Sequence, residues 1–148
     1  LGASTEGERG FMTTFPTQTD PDAAACTPIA PFVDDRGVIQ PIVDAPVGGC
    51  AVITSRRGAV RANHYHKQDW HYCYVVSGRI RYRHRPVGSD VSPATEEFGP
   101  GDVFYSPPMV EHVMEFLEDT TFIVVSHLPR DHADYETDVV RVGDLTKS

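Results

Sequence analysis

Two short runs flanking one polar turn constrain this chain more than any other feature in it. Residues 58–78 read Gly-Ala-Val-Arg-Ala-Asn-His-Tyr-His-Lys-Gln-Asp-Trp-His-Tyr-Cys-Tyr-Val-Val-Ser-Gly. Side chains along a strand alternate between its two faces. On that count Val60, Ala62, His64 and His66 share one face, and Arg61, Asn63 and Tyr65 the other. Past the turn Lys67-Gln68-Asp69, the residues His71, Cys73 and Val75 alternate with Tyr72, Tyr74 and Val76. Paired antiparallel, the two strands bring His64, His66 and His71 to one point inside a sheet or barrel. A first-row transition metal needs such an arrangement, with neutral imidazole nitrogens about 2.0–2.2 Å from a common centre.

The same grain runs through the rest of the chain from residue 30 onward. Candidate strands cover 38–43, 50–55, 59–66, 71–76, 79–85, 103–106, 112–116, 121–127 and 139–142. Between them stand turn-formers such as Asp35-Arg36-Gly37, Pro46-Val47-Gly48-Gly49, Ser77-Gly78, Gly88-Ser89-Asp90 and Gly99-Pro100-Gly101. Short strands at such spacing predict an all-β sandwich or barrel. No long helix is expected; residues 129–138 have room for one turn. Within 79–85 the alternation is cleanest: Arg79, Arg81, Arg83 and Arg85 share one face, Ile80, Tyr82 and His84 the other. The arginines read as a solvated outer face, or else as a basic wall for an anionic substrate, since guanidinium grips phosphate with two hydrogen bonds.

A chain of 148 residues is one domain's worth. Its formal net charge of −8 argues against nucleic acid or an anionic membrane surface as partner. No apolar run approaches the ~20 residues of a membrane span, and no basic-then-apolar leader opens the sequence. Cys26, Cys50 and Cys73 show no paired spacing and read as free thiols in a reducing cytosol. The expectation is a cytoplasmic protein with a small-molecule partner. Residues 1–30, rich in Gly, Thr, Pro, Asp and Ala, read as a flexible arm, or as one laying Phe11 and Phe15 on a neighbouring subunit. Residues 31–148 read as the barrel with a C-terminal extension.

The stretch resembles the cupin family, whose first motif runs Gly, five residues, His-x-His, three or four residues, Glu, six residues, Gly. Gly58, His64, His66 and Gly78 keep that spacing, and His71 stands at the acidic position. The second motif runs Gly, five residues, Pro-x-Gly, two residues, His, three residues, Asn. Gly101, Pro107 and His112 are in register with it, while Met109 replaces the second Gly and Phe116 the Asn. The resemblance implies a single-domain double-stranded β-helix, or jelly-roll barrel, and a homodimer. It makes His64, His66, His71 and His112 the metal ligands, with His71 alternatively an acid/base. Asp35-Arg36-Gly37 and Arg61-Ala62-Asn63-His64-Tyr65 also resemble the dTDP-4-dehydrorhamnose 3,5-epimerases within that superfamily. Those enzymes use the matching histidine as base and the matching arginine on phosphate, which implies His64 and Arg61. The two resemblances compete for His64.

The ion implied is one divalent transition metal, with zinc, nickel, iron and copper equally compatible. Neutral imidazoles leave its charge uncancelled and favour Lewis-acid action on a carbonyl or enolate oxygen. Because the ligands must be neutral, affinity is expected to fall below roughly pH 6. Cavity-lining candidates are Val60, Ala62, Cys73, Val75, Ile80, Met114 and Phe116. Further catalytic candidates are Tyr82, His84 and Tyr105, and Asp69 reads as a solvated turn residue. The expected activity is isomerisation or epimerisation next to a carbonyl of a sugar or sugar nucleotide. The alternatives are a metal-dependent polyketide cyclase, a non-haem metal dioxygenase, and a non-catalytic metal- or sugar-binding module.

Overall fold

Alternation and breakers resolve into antiparallel strands. The structure is a computed structural model and describes residues 13–147. In chain order the strands are β1 (Thr17–Gln18), β2 (Ala25–Thr27), β3 (Phe32–Asp34), β4 (Gly37–Ile39), β5 (Gly49–Ser55), β6 (Val60–His66) and β7 (His71–Ser77). There follow β8 (Ile80–Pro86), β9 (Ala94–Phe98), β10 (Val103–Ser106), β11 (Val110–Phe116) and β12 (Thr120–Ser126). A helix, α1 (His132–Asp138), leads into β13 (Val139–Arg141), and a 3-10 turn (Leu145–Lys147) closes the described chain.

One sheet has the order β1-β2-β10-β7-β12-β5 and the other β13-β6-β11-β8-β9, while β3 and β4 form a separate hairpin. The alternate residues of both sheets interleave as one core. Cys73, Val75, Phe104, Phe122 and Val124 from the first meet Ile80, Tyr82, Phe98 and Phe116 from the second. Burial of apolar surface of this kind contributes about 25 cal/mol per Å² and dominates the stability of the sandwich. Chain and sheets are those of the expected single-domain all-β jelly roll. No helix among the described residues is long and apolar enough to cross a membrane. The three cysteines are free thiols.

Strand β8 realises its alternation, with Ile80, Tyr82 and His84 buried. Its arginines lie outside and meet glutamates: Arg79 and Arg81 on Glu97 (3.0 and 3.4 Å), Arg83 on Glu115 (2.8 Å), Arg85 on Glu111 (2.9 Å). Each guanidinium is paired, Arg79 and Arg81 sharing Glu97, so this face is a ladder of ion pairs and not a free basic wall.

The expected boundary at residue 30 does not fall there. β1 and β2 extend the first sheet by pairing with β10. Phe15 stacks on Tyr72 and meets Trp70 edge-on, both at 5.6 Å, so it packs on its own chain. Phe11 lies outside the described residues. Strand β9 escaped the sequence reading because Glu96 and Glu97 interrupt any apolar period.

Two backbone features set the register around the site. Gly78 has φ +93°, and a Cβ there would meet Thr120 Oγ1 at 2.3 Å and the Asp119 carbonyl at 2.5 Å, so only glycine fits this motif position. In β6 the pairing to β11 shifts between His112 and Val113. His112 faces His64, but Val113 faces Ala62, leaving Asn63 as an extra residue. Ala62 (φ 76°) and Asn63 (φ 60°) take left-handed conformations at this bulge. Strict alternation from Val60 to His66 is thereby broken.

Candidate metal centre and acid–base dyad

The bulge decides which side chains share the interior with His64. Below it, His64 and His66 point inward from β6 and are met by His112 from β11. Ring centroids are 4.8 Å apart for His64–His66, 4.9 Å for His64–His112 and 5.7 Å for His66–His112. One nitrogen from each of the three lies within 4.8 Å of the others. His66 is 1% exposed and His112 2%.

Hydrogen bonds fix how two of these rings are presented. The Asp138 carboxylate accepts from His66 Nδ1 at 3.1 Å and from the Gln68 N–H at 2.8 Å. That leaves the lone pair on His66 Nε2, a buried atom with no hydrogen-bond partner among the described residues. His112 Nδ1 donates to the Val110 carbonyl at 3.0 Å, with Ser106 Oγ at 3.3 Å, so its lone pair is also on Nε2. An N–H anchored to a carboxylate or carbonyl is how metal-binding histidines are held. Burial, reinforced by the neighbouring imidazoles, moves the pKa of His64 down to about 3 and lowers His66. Burial and His64 hold His112 well below the usual histidine range. The cluster is therefore neutral at physiological pH, as ligation requires. A buried unpartnered Nε2 among neutral donors fits a divalent ion.

His71 belongs to a second group of potential donors, with His66 and Asp69. Its ring lies 4.6 Å from that of His66, and its Nε2 donates to Asp69 Oδ2 at 2.9 Å. Asp69 is not a solvated turn residue. It is 5% exposed and accepts from the Trp70 and Leu128 N–H groups at 3.0 and 2.9 Å. Burial opposes its ionisation, but the hydrogen bond from His71 and the Leu128 N–H outweigh this and hold it below its ordinary value. The four histidines thus meet, but as two groups sharing His66.

A cavity of about 150 Å³ opens on His64, His71 and His112, with Ala62, Cys73 and Met114 in its walls beside Ile53, Phe122 and Val124. Val60 is not there: the bulge turns it outward, and it is 50% exposed. For the same reason Arg61, counted on the opposite face from His64, lines the cavity. Its guanidinium also donates to Ser55 Oγ at 2.7 Å. Val75, Ile80 and Phe116 lie in the core away from the cavity lining. Tyr82 is sealed in the core, donates to Ser106 Oγ at 3.1 Å and stacks on His112 at 5.8 Å. Tyr82, His84 and Tyr105 line a different cavity, on the flank of β8 and β9.

Arg130 and Tyr135 complete the histidine cavity, and the sequence reading missed both. The signal was present in Asp131, which caps α1 by accepting from the Ala133 and Asp134 N–H groups. That cap starts a helix on which Tyr135 reaches the cavity and Asp138 reaches His66. The ring of Tyr135 is 5.8 Å from that of His66, and burial raises its pKa, so it stays a phenol.

Among curated proteins no sequence matches this chain. Solved structures do. QdtA, a 3,4-ketoisomerase from Thermoanaerobacterium thermosaccharolyticum in complex with TDP, aligns with TM-score 0.62 and 23% identity over 77% of this chain and 83% of its own. RmlC from Legionella pneumophila, a 3,5-epimerase in complex with dTDP-4-keto-L-rhamnose, aligns with TM-score 0.65 and 14% identity, over 88% of this chain and 77% of its own. Capsular polysaccharide assembling protein CapF from Staphylococcus aureus aligns at 25% identity and TM-score 0.54, over 78% of this chain but 32% of its own. These likenesses share the sandwich that carries the histidines. The Cupin domain model matches residues 51–127, which take in His64, His66, His71 and His112, and this chain belongs to that family.

Proposed function

We propose that this chain is an isomerase or epimerase acting at a carbon next to a carbonyl of a sugar-type substrate, with one divalent transition ion held by His64, His66 and His112. The observation that carries this reading is the buried, unpartnered Nε2 of His66, set between two other neutral imidazoles. When bound, an ion held by imidazoles alone keeps its full charge and polarises a carbonyl or enolate oxygen.

The chain's own groups handle the proton. His64 makes no contact with a carboxylate among the described residues and, kept neutral by burial, is suited to ligation and not to base catalysis. His71 lines the same cavity and is oriented by Asp69. It accepts the proton from the carbon next to the carbonyl and returns it, while Asp69 stabilises the imidazolium between the two events. Tyr135 offers a neutral hydroxyl to a substrate oxygen. At about 150 Å³ the cavity is smaller than the roughly 300–1,000 Å³ that encloses a drug-sized ligand. It takes the reacting ring, and the anionic remainder lies outside, near Arg61 and Arg130. Those two cations favour this reading over a cyclase, whose cavity would be apolar throughout. The activities named for QdtA and RmlC support it.

A homodimer belongs to the same reading. The β3–β4 hairpin presents Phe32 (60% exposed), Val33 (64%), Val38 (63%) and Ile39 (64%), and a lone two-stranded hairpin is marginal in water.

The test is metal analysis of protein purified without nickel affinity, beside His66→Ala, together with turnover of a nucleoside-diphosphate 4-keto sugar in D2O. Near-stoichiometric metal lost in the variant, and deuterium entering next to the carbonyl, are expected. Metal absent from both proteins sinks the reading. His71→Asn is expected to keep the metal and lose the exchange.

A further inference from the structure

We propose a second small-molecule site, on the β8–β9 flank, that selects a neutral, hydroxyl-bearing ring of about one phenol's size. It is independent of the metal and of the activity proposed above. A cavity of about 270 Å³ lies there, bounded by residues of β1, β8, β9, β10 and β11 and of the loop before β2, with Ala24, Ala94, Tyr105 and Val110 among its walls. That volume sits just below the range for drug-sized ligands and suits a single ring.

Two buried polar side chains line it, Tyr82 and His84 (8% exposed), and the Tyr82 hydroxyl is already answered by Ser106 Oγ at 3.1 Å. His84 Nε2 donates to Glu96 Oε2 at 2.6 Å, and its Nδ1 has no hydrogen-bond partner among the described residues. Glu96 is itself saturated. Oε2 also accepts from the Ala24 N–H at 2.7 Å, and Oε1 accepts from the Ala25 N–H at 3.1 Å. Its charge is therefore answered within the protein and calls for no cation from a ligand. Arg85 on the wall is paired with Glu111 at 2.9 Å, so it calls for no anion, and exposed Asp22 at the rim repels one. Among its buried polar side chains, what remains unanswered is His84 Nδ1. A ligand hydroxyl answers it in either protonation state, donating to the imidazole or accepting from the imidazolium. Once a ligand covers His84 Nδ1, leaving it without a partner disfavours the ligand that lacks the hydroxyl.

The experiment titrates p-cresol and toluene into the full chain, followed by saturation-transfer NMR and calorimetry. Saturable binding of p-cresol with Kd of about 1 mM or tighter is expected, with toluene at least tenfold weaker. Ala94→Leu, at an exposed wall position where folding tolerates it, is expected to abolish binding by filling the chamber. His84→Phe is expected to erase the preference for p-cresol. His66→Ala is expected to leave binding unchanged. Equal affinity for toluene, unaltered binding in Ala94→Leu, no saturable binding of p-cresol, or loss in His66→Ala would each overturn the proposal. The last outcome would place the phenol at the histidine cluster instead.

Discussion

His66 and Asp138 lie 72 residues apart in sequence and are joined by a hydrogen bond of 3.1 Å between two buried groups. The carboxylate does two things at once: it holds the proton on Nδ1 and frames the turn through the Gln68 N–H. Asp138→Asn removes the charge while keeping the shape. Metal affinity is expected to fall 10–100-fold, as for other lost ligand-orienting partners. Competition titration with a chromogenic chelator reads this directly, and an unchanged affinity would show that Asp138 does not orient His66.

The buried imidazoles make the metal-free protein acid-sensitive. His64 titrates at about 3 in the fold against 6.5 in an unconstrained imidazole, and His66 and His112 are lowered too. The unfolded chain therefore binds protons that the fold refuses. Stability is full above pH 6.5 and declines as pH falls toward 3, by up to about 1.4 kcal/mol per pH unit for each such group. Urea titrations of metal-free protein at pH 7.5, 6, 5 and 4 check the slope. A flat profile would mean that the imidazoles are not desolvated. The same burial moves metal release below the pH 6 expected from free imidazoles, which a pH-jump release assay measures.

The bulge at Asn63 is a third point of attack. Asn63 tolerates φ 60°, and its Oδ1 accepts from the Leu145 N–H at 2.9 Å. Asn63→Val, β-branched and without that acceptor, is expected to destabilise by about 2 kcal/mol and to weaken metal binding by shifting His64. Thermal melts with and without zinc separate the two effects. Retention of both would show that β6 can straighten at no expense.

Met109 occupies the place where the cupin motif has its second glycine, and it adopts φ 60° there. The conformation has been kept although the residue changed. The backbone is held by the Met109 N–H to the His66 carbonyl at 2.8 Å and by the Val87 N–H to the Met109 carbonyl at 3.0 Å. Since the side chain is about half exposed, Met109→Gly is expected to raise stability by up to about 1 kcal/mol through relief of left-handed strain. A lower melting temperature would mean that the Met109 side chain packs usefully.

Much of this was legible beforehand. The strands of the two sheets, apart from the N-terminal pair and β9, follow from alternation and turn chemistry, because period two is a local property. His64, His66 and His112 could be singled out because their spacing to Gly58, Gly78, Gly101 and Pro107 is a property of the linear chain. Arg61 could be named, but its side could not, since one extra residue in a strand inverts every face before it.

The sequence by itself determined an all-β sandwich of cupin type with histidines in its strands. The expected pairing of the His64/His66 strand with the His71 strand does not form: β6 pairs with β11 and β13, and β7 lies in the other sheet. Only the tertiary structure decided that His71 partners Asp69, that Asp138 steadies His66, and that Arg130 and Tyr135 close the cavity. Apart from the His71–Asp69 pair, two residues apart in the turn, those contacts join positions dozens of residues apart. They depend on a capped helix returning over the open end of a sheet, and on the one-residue bulge at Asn63. Hydrogen bonds and burial act through space, and no local period in the chain encodes which distant side chains they will bring together.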